Sequence, residues 1–560
     1  MRNWYYLFII LFLGCSSAIA QQYDGYTLYS TQNSSAAYLM DTNQTTYHSW
    51  TGLSAQTGYS IHMEPGGTIV RAAKGGTNPS GVPGGPICGK IQKHDYNGNL
   101  VWDFVYAGTD YITHHDICPM PNGNVLVIAY ERKTAAEVSA AGGQNSIQMW
   151  PDKIVEIQPT GLTTGTVVWE WHTWDHLCQS VDASKANYVS SIVDNPQLMN
   201  INYKQASDWQ HMNGIDYNPI LDQIAFSSHN HNEWYIIDHS TTTAEAASHS
   251  GGNSGKGGDI LYRWGNPAAY GATGTQILNV THDAHWIREG CPNAGRLAGF
   301  NNKGVSNNQS AADQIVTPIS GYNYTLTTGQ AYLPSTYSDR HACNGYSSNM
   351  GSTYQLPNGN QLICIATSGK IYEINSAGTQ LWTKTFSGSI AQSQKYSKCY
   401  IDNPAPAIPT ITLSGSTLSS SSATSYQWYL NGQQIAGATS QTYTPTSSGI
   451  YLVRITDNNG CVYQYSKGFK YTQSAAGLNE IDLSDAITAY PNPTDGYINL
   501  KNTQVFGKEF AVQVSDQSGK VIFSQMNSTF IDLSTMSNGV YYLSVQSGQY
   551  KANKTIILRK

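Results

Sequence analysis

Three histidines stand at one phase of a repeating pattern: His115 lies seven residues before Asn122, His211 eight before Pro219, and His282 eight before Gly290. Each precedes a turn-like segment by about the length of a strand, so each is expected at the start of an inner strand. Equivalent strand starts in a radially repeated fold converge on its axis, which would bring the three rings into one shared site. Imidazole serves there as nucleophile, base or anion-holding donor. A shared metal is the alternative, but no HExxH, no CxxC spacing and no carboxylate-rich loop accompanies the histidines, so neither a metal nor a cofactor is expected. His229 and His231, in Ser227-Ser-His-Asn-His-Asn232, end the strand after His211, and a hairpin would return them toward the axis. Gly351 holds the corresponding place in the last repeat, so the fold itself does not require a histidine there. His172 and His176 follow a closing Trp169 and are expected on the outer rim.

The elements that must hold these residues announce themselves by repetition. Gly89-Lys-Ile through Gly98 to Trp102 matches Gly369-Lys-Ile through Gly378 to Trp382 without a gap, and Asp152 to Trp169 and Glu233 to Trp264 follow the same phrase. A second phrase, Pro121-Asn-Gly-Asn124, returns as Pro357-Asn-Gly-Asn360. Asn-Gly supplies the positive φ of a tight hairpin, and a unit of short strands that cannot bury its own faces must stack on its neighbours. The expectation is an all-β chain with a six-bladed β-propeller over residues 21–400, followed by two small β-sandwich domains.

Composition agrees. Of 560 residues only 12% are charged, with 52 glycines and 39 tyrosines, as short strands and tight turns require. The net charge of −6, without a basic run, excludes nucleic acid as an expected partner. Arg2, an apolar run from Trp4 to Leu13 and Ala18-Ile-Ala20 read as a cleaved signal over residues 1–20, and no later stretch is apolar for long enough to form a transmembrane segment. Residues 401–409 form a proline-rich linker. Residues 410–472, with Tyr426-Gln-Trp428 and Gly449-Ile-Tyr451, resemble the immunoglobulin-like modules of secreted bacterial proteins, although Cys461 lacks the usual first cysteine within the module. Residues 483–560, opening Tyr490-Pro-Asn-Pro493-Thr-Asp-Gly496, resemble the type IX secretion C-terminal sorting domain of Bacteroidota. That resemblance implies the type IX secretion machinery as partner and a secreted or outer-membrane-surface location.

The set His114-His115-Asp116, Asp208-Trp-Gln-His211-Met-Asn213 and His282-Asp283-Ala284 resembles the bacterial arylsulfotransferases over most of residues 85–400. The resemblance implies an enzyme that moves a sulfuryl group from an aryl sulfate to a phenol without a nucleotide donor. It implies that His282 becomes sulfurylated, and that His115, His211 and Asn213 hold sulfate oxygens, with His114 and His229 in the same substrate-binding set. The family pattern often carries an arginine where this chain has His229, so a fixed charge gives way to a group that titrates near neutrality. Asp116 and Asp283 either fix a histidine tautomer or bond nearby backbone. The alternative function is a non-catalytic propeller that binds a sulfated or aromatic ligand.

Overall fold

The computed structural model describes residues 21–473 and 479–560, so the expected signal at 1–20 lies outside the described residues. The chain is all-β, 44% strand, built from antiparallel sheets. Residues 26–396 contain six four-stranded sheets, each laid out in simple up-and-down order. Five begin with the strands Thr57–Met63, Tyr111–Pro119, Met212–Asn218, Thr281–Trp286 and Ser352–Gln355. The remaining sheet joins the ends of the region: its strand Gln394–Tyr396 pairs with Tyr26–Tyr29.

The repeated phrases fold as their residue types dictate. Gly98, Gly123, Gly359 and Gly378 close hairpins at φ between 79° and 88°, which a side chain would resist. The closing tryptophans lie on the outermost strands and are buried. Each indole N–H reaches a fixed acceptor: Trp102 donates to Thr164 O at 2.9 Å and Trp264 to Pro334 O at 2.7 Å.

Carboxylates tie the first strands of neighbouring sheets together. Asp116 accepts from Ile215 N at 3.3 Å, Asp216 from Trp286 N at 2.9 Å, and Asp283 from Thr353 N at 3.0 Å. Each is a hydrogen bond between sheets that no backbone ladder connects, so it fixes the relative height of adjacent first strands. Asp283 therefore bonds backbone, whereas Asp116 bonds backbone and also meets His62 Nε2 at 3.0 Å.

Beyond residue 400 one ten-stranded sheet and two three-stranded sheets enclose two separate cores, one around Trp428, Leu418 and Tyr451, the other around Ile498, Val512 and Leu543. The strand Asn479–Asp482, in the gap between the two expected modules, pairs with Phe469–Gln473 on one side and Tyr550–Leu558 on the other. The proline-rich linker is stapled: Cys399, before it, forms a disulfide with Cys461, which supplies the partner missing from the module. Glu289, in the loop after Thr281–Trp286, accepts from Tyr429, from Arg454 at 2.6 Å and from Tyr465 at 2.9 Å. That contact anchors the module to the loop end of the strand that carries His282 near its start. Among the described residues no helix is long and apolar enough to cross a membrane.

Candidate active site

Four of the first strands break register at corresponding places: Thr57/Ile61, Thr113/Ile117, Met212/Gly214 and His282/His285. A bulge re-aims side chains that an ideal pleat would alternate. His115 and His211 sit at φ of 53° and 55°, with Asp283 at 60° and Met350 at 55°. Left-handed backbone at non-glycine residues costs about 1–2 kcal/mol each, so its recurrence here marks a place where side-chain direction outweighs backbone comfort.

The result is a chain of rings. His115 lies 4.6 Å from His211, His211 5.0 Å from His229, and His229 5.7 Å from His282, centroid to centroid. Tyr59 adjoins His115 at 5.0 Å. The five histidines 114, 115, 211, 229 and 282 therefore share one site, while His231 turns away against Tyr203 and Trp209. Burial, reinforced by neighbouring imidazoles, pushes His114, His115 and His282 well below the usual histidine range and lowers His229. The buried rings are neutral at physiological pH.

The tautomer of His282 follows from its partners. The Asn302 amide nitrogen donates to Ser347 O at 2.8 Å and Met350 O at 2.7 Å, which turns its oxygen toward His282 Nδ1 at 2.7 Å. Nδ1 must then carry the proton, and Nε2 keeps the lone pair. The Met350 N–H donates to that Nε2 at 3.0 Å. His282 thus presents a nucleophilic nitrogen with one backbone amide resting on it.

His211 has a different setting. Its Nδ1 meets Asp208 Oδ2 at 2.6 Å, and Tyr130 donates to Asp208 Oδ1 at 3.1 Å. A histidine oriented by a carboxylate is the arrangement of a general base and its positioning partner. His114 bridges Asp152 (Nε2 to Oδ1, 2.8 Å) and His115 (Nδ1 to Nδ1, 2.7 Å), and stacks on Tyr130 at 3.7 Å. Burial pushes the Asp152 carboxyl well up. A protonated Asp152 donating to His114 makes His114 Nδ1 the donor to His115, which leaves His115 with its proton on Nε2 as a neutral donor.

Asn213 is enclosed: its amide donates to Thr281 O at 2.8 Å and accepts from Ser227 at 2.6 Å. It therefore touches the strand residue next to His282 and holds that strand's height. Asn302, Asp152 and Tyr130 have no site role from sequence, and Asp208 stands there only as the first residue of the element that carries His211. His172 meets Glu131 at 3.0 Å and Glu170 at 3.3 Å away from the cluster, whereas His176, expected on a rim, is wholly buried.

The arylsulfotransferase (ASST) family model matches residues 86–399, and the secretion system C-terminal sorting domain model matches residues 488–559. The chain belongs to the arylsulfotransferase family. It carries an arylsulfotransferase-like function and a type IX sorting domain, which gives it a secreted or outer-membrane-surface location. No curated protein matches it. Among solved structures it is similar to a nidogen/laminin complex chain (8% identity, 66% of this chain and 97% of that one, TM-score 0.34). It is also similar to a putative 6-phosphogluconolactonase from Bacteroides fragilis (8% identity, 67% and 98%, TM-score 0.32). At such scores neither likeness carries an argument.

Proposed function

We propose that the six sheets close as blades of a propeller around the histidine cluster, and that the cluster transfers a sulfuryl group between phenols through His282. The observation that carries the reading is the fixed tautomer of His282, whose Nε2 lone pair is set by Asn302. Nε2 attacks sulfur, the bond from sulfur to the aryl oxygen breaks, and the phenoxide leaves. The positive charge that develops on the ring is shared through Nδ1–H with the Asn302 oxygen. A neutral amide partner raises ring basicity less than a carboxylate would, so the sulfuryl group can leave again. A second phenol then attacks sulfur and Nε2 departs with its lone pair restored. The proton lost by the accepting phenol balances the one gained by the departing phenoxide, and His211, oriented by Asp208, is placed to carry it.

Sulfate oxygens gather negative charge in both steps. A donor preset for them, His115 through Nε2–H, would lower the barrier by about 3 kcal/mol by analogy with oxyanion holes. His229, whose Nδ1 faces Asn230 Oδ1 at 2.8 Å, donates from Nε2 only when protonated. His114 and Asn213 act through neighbours, His114 by setting the His115 tautomer and Asn213 by holding the strand of His282. The Met350 amide must leave Nε2 before attack, so substrate entry includes a small shift of the turn at Ser347–Gly351. That capped lone pair favours a second reading, a ligand-binding propeller without turnover.

The test follows nitrophenolate release from 4-nitrophenyl sulfate with and without added phenol, in the wild type and His282→Ala. Phenol-dependent release that is lost in the variant supports transfer. Sulfate binding without release in the wild type supports the binder.

A further inference from the structure

A second histidine group lies outside this site. His176 is buried, its ring parallel to Trp171 within 6° at 5.5 Å. Its Nε2 is 2.8 Å from Ala246 O, and its Nδ1 is 3.0 Å from Asp259 Oδ1. His249 Nδ1 reaches the same Asp259 oxygen at 2.7 Å. Among the described residues this is the one trio of His, Cys, Asp or Glu whose donor atoms all lie within 4.8 Å of one another. The axial histidines form no such trio.

We propose that His176, His249 and Asp259 bind a divalent transition metal of the zinc class, which pins the glycine-rich segment 248–258 to the outer strand Gly165–His172 and the turn after it. The hydrogen-bond count supports this. Both nitrogens of His176 face acceptors, and Asp259 Oδ1 faces two imidazole nitrogens at once. A cation at the shared Asp259 oxygen would lie within reach of both Nδ1 atoms. With one, Nε2–H donates to Ala246 O while the Nδ1 lone pair binds metal, the usual way a ligating imidazole is oriented by a backbone carbonyl. Two imidazoles and a carboxylate match the ligand preference of zinc, and the exposed side of His249 leaves a position for water.

The surroundings are shaped for a fixed His176. Trp171 stacks on the ring and donates to Gly258 O at 2.7 Å, so one side chain holds both the ligand and the approach to Asp259. A Cβ at Gly258 would stand 1.9 Å from Ala246 O and 2.6 Å from His176 Nε2, so only glycine lets the segment pass. Binding displaces whatever protons the two Nδ1 atoms hold, and they pass to solvent with no change of oxidation state. The site lies on outer strands and is independent of the sulfuryl chemistry.

The mature full-length protein, stripped with chelator, is titrated with Zn²⁺ by calorimetry and with Co²⁺ by visible absorption. The wild type should bind one ion per chain with Co²⁺ bands of low-coordinate N/O ligation, and its Tm should rise by about 3 °C with Zn²⁺. His249→Ala removes an exposed ligand and should fold without metal, yet bind roughly 10²-fold more weakly and lose the Tm response. Asp259→Asn should do the same. No saturable binding by the wild type, or binding by His249→Ala equal to it, overturns the proposal.

Discussion

The molecule holds histidines in two opposite electrostatic settings. In the cluster His114, His115 and His282 are buried among other imidazoles and pushed well below their usual range, with His229 lowered beside them. On outer strands, burial works against His172 and His239 too, but paired carboxylates prevail. Glu131 and Glu170 raise His172 to about 9, and Asp222 and Glu156 raise His239 to about 9. One residue type is therefore held neutral in one region and cationic in the other. Carboxylates decide which. Around the cluster Asp283 is turned to a backbone N–H and burial pushes the Asp152 carboxyl well up, while Asp116 meets His62 at 3.0 Å and Asp208 meets His211 at 2.6 Å.

The contrast can be broken at its strongest point. His282→Ala should lower kcat by at least ~10³-fold and move Tm little, because its loss removes the nucleophile. His239→Ala should do the reverse: it strands Glu156 and Asp222 without their cation and costs about 3 kcal/mol, while kcat stays near wild type. Paired turnover and thermal melts check both. Should the two variants lose activity alike, the division is wrong.

A smaller effect sharpens it. Asn302→Ala leaves His282 in place but frees its tautomer, and kcat should fall about 10²-fold with KM nearly unchanged. His229→Arg restores a permanent positive fork beside the neutral rings. It should lower KM for 4-nitrophenyl sulfate about 10-fold and weaken the rise in affinity on acidification, a rise the wild type should show because an anion favours protonation of depressed imidazoles.

The smallest effect is on stability against pH. The folded-state pKa values of His172 and His239 lie above the unfolded value near 6.5, so their contribution is full below about 6.5 and lost as pH rises through about 9. His114, His115 and His282 are shifted downward, so the unfolded chain takes up protons that they refuse, and stability falls as pH drops below about 6.5. Tm should peak near neutrality. The alkaline limb should flatten in His239→Ala, and the acid limb in His115→Gln.

The sequence exposed part of this arrangement for a physical reason. His115, His211 and His282 recur because the repeat recurs, so spacing alone was enough to group them, and the Asn-Gly turns marked the hairpins between strands. Asn302 could not be found that way. It reaches His282 across the hairpin from Thr281–Trp286 to Leu297–Ser306, and the bulge at His282/His285 sets that register. Asp152 reaches His114 from two strands away in the same sheet. Asp208, though it stands three residues before His211 in the Asp208-Trp-Gln-His211 element, meets that ring where His211 itself is left-handed. His176 and Asp259 are 83 residues apart, with no pattern joining them. The disulfide between Cys399 and Cys461 spans a domain boundary, where a search within one module finds no partner.

The central claim is that His282 carries the sulfuryl group. Its direct test is rapid mixing of the mature protein with 4-nitrophenyl sulfate in the absence of phenol, an acidless quench, and peptide mass analysis. The account predicts a burst of nitrophenolate of one equivalent per chain, a gain of one SO₃ mass on the peptide bearing His282, and its loss on adding phenol. A burst with the added mass on another residue, or turnover in the wild type with no covalent adduct at any time, would contradict it.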